Sequence, residues 1–202
     1  KKIAVLDRTI EQGAIYEPLC LDVQSSFYGK ANAPIIVGGR YGLSSKDTTP
    51  AMINAVFNNL KLDQPKDHFT LGINDDVKYS SLDITEEIDV IDPSTTELLF
   101  FGLGSDGTVG ACKNISKIVG DYTEYYSQSY AAYDSKKSGG STRLHLRFSK
   151  KPIRSTYLVN KPHFVSCSLD AYLDKFDMID GLRDGGTFLL NTTFSAEEIA
   201  AH

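Results

Sequence analysis

The sequence predicts an α/β fold: two successive parallel-sheet α/β segments with Rossmann-like strand–glycine loop–helix turns. Three observations carry that expectation. Short apolar runs such as Ile3–Leu6, Ile35–Val37 and Leu98–Phe101 have the length and hydrophobicity of buried parallel strands. Glycines follow two of them, at Gly38-Gly39 and at Gly102-Leu103-Gly104. Helix-start chemistry recurs between them, most clearly at Thr49-Pro50.

The chain has 202 residues, 41% hydrophobic and 23% charged. That length suits one large domain or two small ones, and the composition excludes a disordered tail or a fibre. The apolar runs are far shorter than the roughly 20 residues of a membrane span. No basic n-region leads into an apolar h-region at Lys1, so no secretory signal is visible. Cys20, Cys112 and Cys167 are odd in number and never in a C-x-x-C pair, so neither a disulfide framework nor a zinc or iron–sulfur ligand set is expected. Free thiols point to the cytoplasm.

The elements follow in order. Lys2–Asp7 is the first strand and Ile35–Gly39 the second. Thr49 caps a helix that Pro50 opens and that places Ala51, Met52, Ala55, Val56 and Leu60 on one stripe. Phe69–Ile73 is a third strand. Between Asn74 and Glu97 the chain carries eight acids against the single Lys78, and Asp92-Pro93-Ser94-Thr95 has loop chemistry. A domain is therefore expected over residues 1–85, an acidic linker over 86–95 and a second domain over 96–202. In the second, Leu98–Leu103 is a strand, Val109–Val119 a helix, and Tyr125–Tyr133 a strand with four tyrosines and a wet edge. Arg143–Phe148 alternates, with Leu144, Leu146 and Phe148 on one face and Arg143, His145 and Arg147 on the other, so it reads as a strand with an apolar and a cationic face. Thr156–Val159, Phe164–Cys167 and Phe188–Leu190 read as short strands, and Asp170–Leu182 as a helix with Ser168 as its cap. Ser195-Ala196-Glu197-Glu198 is a capping box. It starts a helix just before the last residue, and the first residues are already strand-like, so a fragment of a longer polypeptide, truncated at its C-terminus, is expected.

Two features carry chemistry. Gly102-Leu103-Gly104-Ser105-Asp106-Gly107 matches G-x-G-x-x-G between a strand and a helix, the setting in which a backbone approaches phosphate at a helix N-terminus. The acid that would hold a dinucleotide ribose about 20 residues on is not clearly placed. A tight turn with no ligand, a phosphate-bearing ligand and a dinucleotide all remain open readings. The second feature is charge. Against a net −5 for the chain, Ser135–Leu169 holds no Asp or Glu but Lys136, Lys137, Arg143, Arg147, Lys150, Lys151, Arg154 and Lys161. Lys136 and Lys137 precede Gly139-Gly140 and suit an anion clamp. In an α/β sheet the loops after strands gather at the carboxyl edge, where this loop and the glycine loop would meet. Gly104, Ser105, Asp106, Gly107, Thr108, Lys136, Lys137, Arg143 and Arg147 are thus the candidate ligand-binding residues. No catalytic residue and no metal site is expected: His68, His145, His163 and His202 lack metal spacing, and neither a P-loop nor a G-x-S-x-G elbow is present. An acidic chain whose basic island lacks interleaved aromatics is not expected to bind nucleic acid.

Long strings of the sequence also carry a family resemblance. Arg40–Lys46 with Thr49–Met52, Phe101–Ala111, Tyr133–Gly140, His145–Phe148 and Lys150–Tyr157 resemble pyruvate:ferredoxin (flavodoxin) oxidoreductase, in order and across nearly the whole chain. The resemblance implies a long multidomain, homodimeric parent that decarboxylates pyruvate on thiamine diphosphate and Mg²⁺. It implies electron transfer through 4Fe-4S clusters to ferredoxin or flavodoxin and transfer of the acetyl group to coenzyme A. Residues 1–85 would be the end of a domain like the transketolase C-terminal domain, and 96–202 the start of a domain like the γ subunit, which the family associates with coenzyme A. The chain carries neither the Gly-Asp-Gly thiamine diphosphate signature nor cluster cysteines, so by itself it is not expected to oxidise pyruvate. Its expected part is to bind coenzyme A phosphates and to contact the parent's other domains. The rival readings are an interdomain module with no ligand and a dinucleotide-binding domain.

Overall fold

The structure is a computed structural model; it describes residues 1–133 and 140–201, with no side chain described at position 200. The chain divides into two units, Lys1–Val90 and Ile91–His202. The division falls within the acidic stretch 86–95.

The first unit holds β1 (Lys2–Asp7), α1 (Pro18–Phe27), β2 (Ile35–Arg40), α2 (Pro50–Lys61) and β3 (Phe69–Thr70). The three strands are parallel, in the order β1-β2-β3. Val37, Val56, Phe69 and Leu71 form its core, with Met52 and Leu60 packed against them. Thr49 caps α2 as expected, its hydroxyl accepting from the Met52 amide. The sequence reading did not single out α1. That helix has no side-chain cap of its own. Its N-terminal amides, Leu19 and Cys20, donate instead to the two carboxylate oxygens of Asp7 at 3.1 Å each, from the end of β1. This cap bridges a sequence gap of 12–13 residues, so no local pattern announces it. β3 is shorter than the expected Phe69–Ile73.

The second unit holds β4 (Thr96–Leu103), α3 (Thr108–Tyr122), β5 (Tyr126–Tyr133), β6 (Ser141–Ser149), β7 (Phe164–Cys167), β8 (Thr187–Leu190) and α4 (Ala196–Ala200). Its sheet runs β5-β6-β4-β7-β8. The α/β class holds, but this sheet is mixed. β4, β7 and β8 are parallel to one another, whereas β6 runs antiparallel to both β4 and β5. The short β5–β6 connection explains the difference, because a crossover that returns a strand in parallel needs a dozen or more residues. On one face, Leu144 and Leu146 of β6 meet Cys112, Val109 and Ile115 of α3, with Phe148 packed alongside. On the other, Phe101, Val165, Cys167, Tyr172 and Met178 form a second core.

Two expected elements are absent from this unit. Thr156–Val159 is irregular, because the side chains of β5 and β6 take its backbone polar groups. Gln128 Nε2 donates to the Ser155 carbonyl, Arg147 to those of Tyr157 and Leu158, and the Val159 amide donates to His145 Nδ1. Asp170–Leu182 is a short 3-10 turn at Asp170–Tyr172 followed by further turns. Asp177 accepts from the Asp180 amide, a local bond that competes with helix continuation. Tyr172 and Phe176 meet edge to face at 5.4 Å beneath it. The capping box at Ser195 is present in both directions: its hydroxyl accepts from the Glu198 amide and Glu198 Oε2 accepts from the Ser195 amide.

Candidate functional site

The carboxyl ends of the parallel strands define one edge of the second sheet. Leu103 of β4 pairs with Ser141, the first residue of β6, and Tyr133, the last of β5, pairs with Thr142. The glycine turn and the β5–β6 connection therefore leave from the same edge, as the sequence reading required. The ends of β7 and β8 reach it as well, bringing Ser168 and Asn191, whose side-chain amide donates to the Ser168 carbonyl.

The turn itself is shaped by close approach and by charge. A Cβ on Gly102 would lie 2.7 Å from the Cβ of Thr108, so only glycine lets α3 start against β4. Gly107 has φ +90° and Ser105 φ +71°, the left-handed geometry that reverses the chain into the helix. Asp106 ties these parts together. Its Oδ1 accepts from the Thr108 amide at 2.8 Å, and its Oδ2 accepts from the Leu103 amide at 2.7 Å and from the Ser168 hydroxyl at 2.6 Å. Burial opposes ionisation of this carboxyl. The Ser168 hydroxyl and the two amides outweigh it and hold its pKa below the ordinary value. Asp106 thus supplies the negative charge that the start of α3 favours. The Thr108 amide, expected to serve a ligand, serves Asp106. The amides of Gly104, Ser105 and Gly107 have no acceptor among the described residues, and nothing lies within 4 Å of a Cβ built on Gly104 or Gly107.

The cationic face of β6 differs from expectation. Arg143 is exposed, opposite Phe101 near the edge. Arg147 is buried, at 3% exposure. It sits opposite Glu97 in the ladder, its Nε 2.8 Å from Glu97 Oε1, and its remaining nitrogens donate to Gln128 and to the carbonyls of Tyr157 and Leu158. Buried, with four of its five N–H donors taken, Arg147 does not present a free face to an external anion, which corrects its place among the candidate residues. The physical cause is the acid directly across the strand pair, which with the acceptors of Gln128, Tyr157 and Leu158 compensates the charge that the arginine carries into the interior. His145 is buried as well, and burial, then the charges of Arg143 and Arg147, push its pKa down to about 4. It is a neutral core histidine. Lys136 and Lys137 lie outside the described residues. Sequence reasoning missed Ser168 and Asn191 as edge residues and took Ser168 for a helix cap. A polar residue directly after a strand was the only available signal.

Among the described residues, no group of three or more His, Cys, Asp or Glu could hold a metal ion, and no helix is long and apolar enough to cross a membrane.

The fold and this edge define an α/β unit with a glycine turn closed by its own aspartate. The family model for pyruvate ferredoxin/flavodoxin oxidoreductase matches residues 97–200, half of the chain, and the chain belongs to that family. It is similar to the pyruvate-flavodoxin oxidoreductase of Enterobacter agglomerans, 54% identical over 198 residues, which are 98% of this chain and 17% of that protein. It is also similar to the pyruvate:ferredoxin oxidoreductase of Moorella thermoacetica, 52% identical over 199 residues, with the same two shares. The chain thus spans about a sixth of the length of these relatives. Among solved structures, a pyruvate oxidoreductase subunit from Thermotoga maritima superposes with a TM-score of 0.44 and 20% identity, over 54% of this chain and 56% of that one.

Proposed function

We propose that this stretch works within an oxidoreductase that converts pyruvate, coenzyme A and an oxidised ferredoxin or flavodoxin to acetyl-coenzyme A, CO₂ and the reduced acceptor. Its second unit holds the phosphates of coenzyme A, and thiamine diphosphate, Mg²⁺ and 4Fe-4S clusters reside elsewhere in a cytoplasmic, homodimeric enzyme. The observation that carries the reading is the shared edge. The glycine turn, three of whose amides have no acceptor among the described residues, and the connection containing Lys136 and Lys137 leave the sheet together, with Arg143 two residues into β6. Coenzyme A carries a pyrophosphate and a 3′-phosphate, so it needs several donors and charges. Backbone amides suit the pyrophosphate, an arginine suits bidentate contact, and lysines act as point charges.

The test replaces Lys136 and Lys137 with alanine in an oxidoreductase of family length carrying this stretch. Each exposed contact is worth on the order of 0.5–1.5 kcal/mol, so KM for coenzyme A should rise roughly tenfold, and added salt should shrink the difference. An unchanged KM at low salt favours instead an interdomain module, in which Asp106 alone serves the turn.

A further inference from the structure

An anion site with a carboxylate inside it is self-competing unless that carboxylate is held away from the donors. Asp106 lies within the turn, flanked by Ser105 and Gly107, whose amides have no acceptor among the described residues. Its carboxylate points toward the sheet, into Leu103, Thr108 and Ser168. The two amides belong to the turn itself. Ser168 does not: it sits 62 residues away, after β7. Its backbone is fixed without the turn, because its amide donates to the Phe101 carbonyl and its own carbonyl accepts from the Asn191 side chain.

We propose that the Ser168–Asp106 hydrogen bond is the positioning device of this edge: it keeps the Asp106 carboxylate turned inward, so that the amides of Gly104, Ser105 and Gly107 stay open to a phosphate-bearing ligand. This rests on the coenzyme A reading and deepens it. Ser168 acts through Asp106. Without its hydroxyl the carboxylate loses its tether to β7 and competes, as an internal anion, for the amides a phosphate would use. The proposal assigns opposite signs to two substitutions. Removing the hydroxyl weakens phosphate binding, and neutralising the carboxylate then restores it, because an amide side chain is a poor competitor for those donors. A role confined to holding the fold together gives the reverse, since the second substitution removes more of the same hydrogen bonds.

The experiment measures KM for coenzyme A and kcat in the family-length enzyme for Ser168→Ala, Asp106→Asn and the double variant, with Lys136→Ala/Lys137→Ala as reference. We expect Ser168→Ala to raise KM about fivefold with kcat held within about twofold, Ser168→Thr to restore it, and the double variant to return to within about twofold of Asp106→Asn alone. A double variant no better than Ser168→Ala overturns the proposal. So does a Ser168→Ala KM equal to the parent's where the lysine variant raises it, and in that case the coenzyme A reading stands. If neither the lysine variant nor Ser168→Ala moves KM, both readings fall.

Discussion

Glu97 and Arg147 face each other across the β4–β6 ladder, Oε1 to Nε at 2.8 Å, with both side chains almost wholly buried. Arg183 reaches the second Glu97 oxygen at 3.3 Å, and the His163 ring accepts from the Glu97 amide. This network anchors the irregular segment through Tyr157 and Leu158 and fills the face of the sheet that α3 does not cover.

Removing one member of the pair leaves the other charge buried. Arg147→Met should therefore cost about 3–5 kcal/mol in unfolding free energy by urea titration. Glu97→Leu combined with Arg147→Met should cost clearly less than the sum of the singles, since the double variant removes both halves of the buried pair and leaves only the partly exposed Arg183. Additive losses would show that the two residues contribute independently.

His145 makes stability depend on acid. Its folded pKa is depressed to about 4, while the unfolded chain titrates near the ordinary value of 6.5. Between these values the unfolded state binds the extra proton, so the stabilisation is complete above pH 6.5 and drains away as pH falls toward 4, by about 3 kcal/mol. The cause is geometric. Nδ1 accepts from the Val159 amide, and Nε2 has no partner among the described residues. Unfolding free energies at pH 7, 5.5 and 4.5 should fall more steeply for the parent than for His145→Gln. Equal slopes would remove His145 as the cause.

Proteolysis should find the stretch between the two units. Residues 74–82 are held, since Asp75 accepts from the Val77, Lys78 and Ser80 amides and Leu82 donates to Thr70. Residues 83–87 are exposed and form no strand or helix, and Glu97 is buried. A glutamate-specific protease should cut first after Glu86 or Glu87, giving two fragments that mass spectrometry separates. A first cut after Glu124 would place the weak point inside the second unit instead.

Much of the scaffold is local physics and is readable as such. Period-two alternation places Leu144, Leu146 and Phe148 on the face that α3 covers. Thr49-Pro50 and Ser195–Glu198 start their helices through contacts three residues away or closer. The glycine turn after Leu103 and its edge location also follow from spacing and strand order. Tertiary structure decided how each polar side chain is used. Alternation puts Arg143, His145 and Arg147 on one face, but only the strand pairing sets Glu97 against Arg147 and the 155–159 segment over both, turning an expected cationic surface into a buried network. Asp7 caps a helix it does not adjoin in sequence, and Asp106 finds its hydroxyl partner 62 residues away. Apolar periodicity is legible because solvent exclusion acts on every residue of a face alike. A hydrogen bond is directional and short-ranged, so its partner exists only once the chain has brought two distant positions within about 3 Å.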